Sequence, residues 1–296
     1  MKKAILLFAF MLSLSVFAQA EQDFSNVEIK TQAVAGSVYM LEGSGGNIGV
    51  SVGEDGILII DDQFAPLADK IHAALKDLSK GDLKFILNTH WHGDHTGGNE
   101  EFGREGVIIA HENVRKRLSS HQEVKLFNMV SEPQPEGALP VITFDDDLSI
   151  HFNGEEIKMI HLPSGHTDGD SIIYFTKSNV VHMGDHLFNG FYPFIDLDSG
   201  GSVQGVIKNL EKVLSMVPDD AKVIPGHGPV GTVDDIRASH DMIKKCAVLM
   251  QQAIDEGKSL EQIKKEGLPE DITEKWGKGF LTTDQWIEIL YNSYTK

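Results

Sequence analysis

The sequence predicts an α+β fold in which two β-rich halves, each carrying helices, pack their sheets face to face with the helices outside. Three observations carry that prediction. Short apolar runs bounded by glycine and polar turns fill residues 37–62 and again 148–183. Each set is followed by segments of helical apolar period. Several of the strands end in glycine-flanked histidines and aspartates, the residue types that do chemistry at strand ends.

In chain order, Met1-Lys2-Lys3, the apolar stretch Ala4 to Val16 and the small-x-small Ala18-Gln19-Ala20 form the three regions of a secretory signal peptide, with cleavage after Ala20. That apolar stretch is short for a membrane span, and no later one is long enough. Residues 21–296 are therefore expected to be soluble, without a membrane partner, and periplasmic or secreted. Cleavage takes the net charge from −18 to −20, which argues against nucleic acid as a partner. Cys246 is the one cysteine; it forms no internal disulfide and, beside Ile243 and Ala247, reads as a core residue.

Ser37 to Asp62 reads as a β-meander broken at Gly43 to Gly46 and at Glu54-Asp55-Gly56. Pro66 to Leu78 then takes helical period, with Leu67, Ile71, Ala74, Leu75 and Leu78 on one face and His72 off it, read as solvated. Strands follow at 84–88 and 107–110, a helix at His111 to Leu118, and a connecting loop at Pro133 to Pro140. The β pattern resumes at Leu148 to Phe152, an Asn153-Gly154 hairpin turn, Ile157 to Leu162, Ser171 to Thr176 and Val180 to Met183. Ser202 to Val217 is a helix stopped by Pro218, Lys222 to Ile224 a strand, and 234–296 mostly helical, ending in an amphipathic segment Asp284 to Tyr294. The apolar stripes of this tail fit packing on the sandwich or a dimer equally.

Chemistry concentrates at His90-Trp91-His92-Gly93-Asp94-His95, which leaves the end of the strand at 84–88. Three imidazoles and a carboxylate in six residues, with a glycine to relax the backbone, read as a metal site. That donor set suits zinc, and also iron and manganese. Three further strand ends present ligand-type residues beside glycine: Gly165-His166-Thr167, Gly184-Asp185 and Gly226-His227-Gly228. Each alone reads equally as a turn.

Together, His-x-His-x-Asp-His, Gly-His-Thr, Gly-Asp and Gly-His-Gly, in that order and spacing, resemble the metallo-β-lactamase superfamily over almost all of residues 21–296. The resemblance implies a four-layer αβ/βα sandwich with a dinuclear centre, two Zn2+ by expectation, at one edge of the sheets. It implies His90, His92 and His166 on one metal, Asp94, His95 and His227 on the other, and Asp185 bridging both. True β-lactamases of the family carry cysteine or no ligating carboxylate where this chain has Asp185, so the set looks like the glyoxalase II, lactonase and phosphodiesterase branches. A periplasmic address counts against glyoxalase II itself.

The expected function is a dinuclear zinc hydrolase that opens an ester, thioester, lactone or related acyl bond of a small-molecule substrate through a metal-bridging hydroxide, β-lactams being a lesser expectation. Asp94 would hold that hydroxide and pass a proton to the leaving group, as the catalytic residue. Asp61 or Asp62 would orient a ligand, with Asp62 the better candidate for a plain turn. His186 is expected to line the pocket, Phe188, Phe191, Tyr192 and Phe194 to form an apolar wall or a core loop, and Gly43 to Gly49 to act as a flap. His182 reads as a core residue. Two rivals stand beside the hydrolase: a mononuclear iron dioxygenase acting on a persulfide, and a non-catalytic metal-binding protein.

Overall fold

Apolar side chains along short strands build two sheets whose central strands are buried on both faces. The computed structural model describes residues 23–295, so the signal-peptide reading of residues 1–20 lies outside the described residues. The first sheet starts with β1 (Lys30–Ala35), β2 (Val38–Glu42), β3 (Ile48–Gly53) and β4 (Gly56–Ile60), the expected antiparallel meander with one edge strand added. Helix α1 (Ala68–Leu78) crosses over to β5 (Leu83–Leu87), which pairs parallel with β4. The motif region forms two one-turn helices, α2 (Gly93–Thr96) and α3 (Asn99–Phe102), before β6 (Val107–His111) and α4 (Glu112–Leu118).

A separate hairpin of β7 (Gln122–Val124) and β8 (Met129–Ser131) follows. The Pro133 to Pro140 stretch contains a single 3-10 turn, Glu136–Ala138, and delivers β9 (Ile142–Phe144) to the sheet edge beside β6. His111 closes β6 rather than opening the helix, and its Nδ1 accepts the Asn113 N–H at 3.2 Å as a cap for α4. His72 is not simply solvated: it stacks on Phe102 at 4.6 Å and meets Glu105 at 3.0 Å.

The second sheet runs β10 (Asp147–Phe152), β11 (Glu155–His161), β12 (Ser171–Phe175) and β13 (Val180–His182) antiparallel. Asn153 and Gly154 both take positive φ, 53° and 76°, as a tight hairpin turn demands. After α5 (Val203–Met216), capped by Ser202 Oγ on the Gly205 N–H, come β14 (Lys222–Ile224), parallel to β13, and the edge strand β15 (Gly231–Thr232). The tail forms α6 (Val233–Asp255), α7 (Leu260–Glu266), α8 (Glu270–Trp276) and α9 (Thr283–Thr295).

Neighbouring residues of one strand go to different cores, which is what makes four layers. Leu58, Ile60, Leu87 and Ile109 meet Met159, Ile173, Val180 and Ile224 between the sheets. Ile57, Ile59, Ile86 and Ile108 face outward under α1, against Ile71 and Leu75. On the far side Ile172, Val181 and Val223 pack under α5 and α6, against Val206, Leu210 and Ile243. Each such fully buried side chain contributes on the order of 1.5–3 kcal/mol. Trp286 of α9 is completely buried in this last core, so the tail's apolar stripe is spent on the sandwich itself. Among the described residues no helix is long and apolar enough to cross a membrane.

Candidate metal centre

Five strand ends meet at one edge of the two sheets. β4 delivers Asp61, β5 the stretch His90 to His95, β11 the loop bearing His166, β13 Asp185 and β14 His227. The one-turn helix α2 starts after His92 and folds Asp94 and His95 back beneath it. The side chains then fall into two clusters, His90, His92, His166 and Asp185 in one and Asp94, His95 and His227 in the other, with donor atoms within 4.8 Å of one another in each. All seven residues singled out in the sequence are therefore brought together. Asp185 stands between them: its Oδ1 lies 3.1 Å from His95 Nε2 and 3.5 Å from His227 Nε2, while its Oδ2 lies 3.5 Å from His166 Nε2.

Hydrogen bonds fix which nitrogen each imidazole presents. His95 Nδ1 donates to Asp61 Oδ2 at 2.7 Å, His166 Nδ1 to the Phe194 carbonyl at 2.8 Å, and His92 Nε2 to Asp196 Oδ2 at 3.0 Å. His90 Nδ1 is 3.0 Å from Thr89 Oγ1. The free nitrogens consequently point inward as lone pairs. His92 Nδ1 and His166 Nε2 face each other at 2.8 Å, and His90 Nε2 and Asp185 Oδ1 are buried without a hydrogen-bond partner. Lone pairs gathered this closely, with buried acceptors unmatched, fit a cation and leave a costly repulsion without one.

Charge separates the two clusters. Burial holds His90 well below the ordinary histidine range and takes His166 down to about 4, so both are neutral donors at physiological pH. Burial also works against a charged His227, but Asp185 and Asp94 outweigh it and raise the ring to about 9. The same contest, with Asp61 added, holds His95 well above its usual value. Asp94 is pulled below the carboxylate range, burial being overcome by His95 and His227. Its side chain is 30 % exposed, against 0–4 % for His95, His90 and Asp185. Asp94 and His227, 30 and 23 % exposed, form the solvent-facing side of the clusters.

The remaining expectations divide. Asp61 orients His95 and also accepts Thr89 N–H and Oγ1–H, both at 2.8 Å. Asp62 braces the loop: its carboxylate accepts the Gly98 N–H at 2.8 Å and its backbone N–H donates to the His95 carbonyl at 2.9 Å, while no ligand imidazole bonds to its side chain. His186 does not line the pocket: it is buried behind Asp185, with Nε2 3.0 Å from Asn209 Nδ2, and burial lowers it to about 3. His182 is the core residue expected, donating to the Asn47 carbonyl at 3.1 Å.

Of the four aromatic residues, Phe188 and Phe194 line the cleft, whereas Tyr192 is buried against Trp286 and Phe191 packs on Gly279. Gly43 to Gly49 is no flap. Gly46 N–H donates to Asp94 O, Asn47 N–H to Gly226 O, and Asn47 Nδ2 reaches the Pro225 and Gly228 carbonyls, so the turn is bolted to the site. A Cβ on Gly46 would sit 2.1 Å from the His95 ring, and one on Gly226 2.1 Å from Asp185 Oδ1. Gly93, by contrast, sits in helix α2 with open space around it, so the motif does not need its flexibility. Sequence reasoning missed Thr89 and Asp196; the latter acts on a ligand 104 positions away and carries no local signal.

Comparison with known proteins bears on this site. The model of the family described as the metallo-beta-lactamase superfamily matches residues 33–227. A metallo-beta-lactamase type 2 of Bacteroides fragilis is 24% identical over 261 residues, 83% of this chain and 97% of that protein. A hydroxyacylglutathione hydrolase of Pelagibacter ubique is 27% identical over 179 residues, 59% of this chain and 64% of that one. Among solved structures, a double mutant of the sec-alkyl sulfatase PisA1 superposes with a TM-score of 0.71 at 15% identity, over 90% of this chain and 50% of that chain.

Proposed function

The chain belongs to the metallo-β-lactamase superfamily, with its fold, and is a metal-dependent hydrolase; from that premise we propose that it holds two divalent cations, zinc by preference, and opens an acyl bond of a small molecule. The observation that carries the reading is Asp185, with one oxygen toward each cluster: Oδ1 beside His95 and His227, Oδ2 beside His166. His90, His92 and His166 would hold one cation, Asp94, His95 and His227 the other, and Asp185 both. When bound, such a pair supplies a water activated near neutral pH and an electrophile for the carbonyl oxygen.

The chain's own groups do the rest. Asp61, Asp196 and the Phe194 carbonyl hold three imidazoles in their ligating tautomers. Asp94, kept ionised by His95 and His227 and open to the cleft, would accept a hydrogen bond from the attacking hydroxide and relay its proton to the leaving group. The names of the relatives span a β-lactamase and a hydroxyacylglutathione hydrolase, so an ester, thioester or lactone leads and β-lactam stays in the panel. The leader-like residues 1–20 support a periplasmic or secreted setting.

The test is chelation and reloading against such a panel. Turnover should vanish with the metal and return with zinc; turnover that survives complete chelation would contradict the proposal.

A further inference from the structure

The cleft beside the two clusters, about 590 Å³ in volume, is walled largely by aromatic and aliphatic side chains, with no lysine or arginine among the described residues that line it. Four phenylalanines form an arc from one cluster to the other. Phe188 stacks on His227 at 4.9 Å, Phe280 lies 5.7 Å from Phe188, Phe127 6.1 Å from Phe280, and Phe194 4.9 Å from Phe127 and 5.7 Å from His92. They converge from three places in the chain: the loop after β13, the turn between β7 and β8, and the link from α8 to α9. At the rim Met129, Val130 and Phe280 keep 51, 60 and 56% of their surface exposed. Apolar surface of this kind beside a reactive centre marks a ligand. Lys125, on the same hairpin, is held by Asp198 at 2.6 Å.

We propose that the cleft selects an uncharged substrate with a bulky apolar arm, the reacting bond over the clusters and the arm along the phenylalanine arc. The position of the bond rests on the hydrolase reading above; the fit of the arm rests on the arc alone. A carboxylate on the arm would be stripped of water against rings that offer no replacement partner. Each methylene drawn from water onto the arc is worth about fourfold in affinity. Phe127 and Phe280 are the specificity-determining residues: they form the middle of the arc, where Phe127 meets only other phenylalanines and Phe280 nears one ligand ring, His227, at 6.4 Å.

The metallated chain is assayed with 4-nitrophenyl esters from acetyl to decanoyl and with ω-carboxy esters of the same lengths. In parallel, calorimetry measures binding of the matching alkyl methyl ketones, which have the arm and a carbonyl but no cleavable bond. Both kcat/KM and ketone affinity should climb about fourfold per methylene until the cleft is full. The carboxy esters should fall about tenfold or more below their neutral partners, and Phe127→Ala and Phe280→Ala should flatten both slopes without lowering the melting temperature by more than a few degrees. Esters cleaved with a flat slope, or a preference for carboxylates, would overturn the proposal and leave the hydrolase standing. A steep ketone slope with no ester cleaved would support the cleft and overturn the placing of an ester bond over the clusters. Mass doubling with concentration that Phe280→Asp abolishes would give the rim to a second copy of the chain and overturn the proposal.

Discussion

Replacing Asp61 by Asn changes one atom in three hydrogen bonds, and the outcome follows from the geometry. Asp61 sits at φ 62°, a conformation Asn tolerates, so the backbone is not strained by the exchange. Its Oδ1 accepts the Thr89 N–H and its Oδ2 accepts both Thr89 Oγ1–H and His95 Nδ1–H. In the variant the amide oxygen keeps the backbone N–H, and the amide nitrogen replaces Oδ2 opposite His95. Two donors cannot face each other, so His95 gives up its Nδ1 proton and carries it on Nε2 instead. That is the atom aimed at Asp185 and Asp94, 3.1 and 3.6 Å away, and it ceases to be a ligand. Losing such a supporting carboxylate costs about 10–100-fold in metal affinity, or about 1.4–2.7 kcal/mol. The loss should fall mainly on the Asp94, His95 and His227 cluster, since Asp61 reaches His90 only through the Thr89 hydroxyl. Chelator competition followed by elemental analysis should show one tightly held metal and one weakened by that factor, with the fold intact by circular dichroism. Two metals held as tightly as in the parent would refute the assignment of Asp61.

Other perturbations read other parts of the account. Asp94→Ala should lower kcat by about a hundredfold or more at saturating zinc, and undiminished turnover would remove Asp94 from proton transfer. Gly46→Ala sets a methyl against the His95 ring and should cost about 1–3 kcal/mol of stability together with metal retention; a denaturation curve matching the parent's would show the turn to be looser than its hydrogen bonds indicate. Cys246 is buried and its thiol is pushed up to about 11, so it should resist alkylation in the native protein and react once per chain in denaturant. Because the folded thiol is the weaker acid, the unfolded chain loses its proton first; stability is unaffected below the ordinary thiol range and declines as pH climbs towards about 11, a decline that Cys246→Ala should lessen in pH-dependent melts.

The site was legible where local spacing encodes it. His90, His92, Asp94 and His95 are read from one strand end, whereas His166, Asp185 and His227, each of which alone reads equally as a turn, become ligands only through the resemblance that their order and spacing carry. The meander, α5 and the long α6 follow from apolar periods of two and 3.6. What escaped is what only tertiary approach creates. Asp196 meets His92 across 104 residues, and the arc joins Phe127 and Phe280 from segments with no pattern in common. β7, β8 and β9 are three residues each, too short for alternation to register. The Gly43 to Gly49 turn suggested mobility because glycine permits it, yet glycine serves there to let the backbone touch His95. The sequence offers both Asp61 and Asp62 and leans only slightly to Asp61, since a strand end sends consecutive side chains to opposite sides and the fold decides which meets the histidine.

The most direct test counts metals in the protein purified after expression with residues 1–20 intact, by elemental analysis against a quantified chain concentration. The account predicts two zinc ions per chain, falling towards one when His227 or Asp94 is replaced. A single iron per chain, with oxygen consumed on addition of a persulfide, would contradict the dinuclear hydrolase at its root.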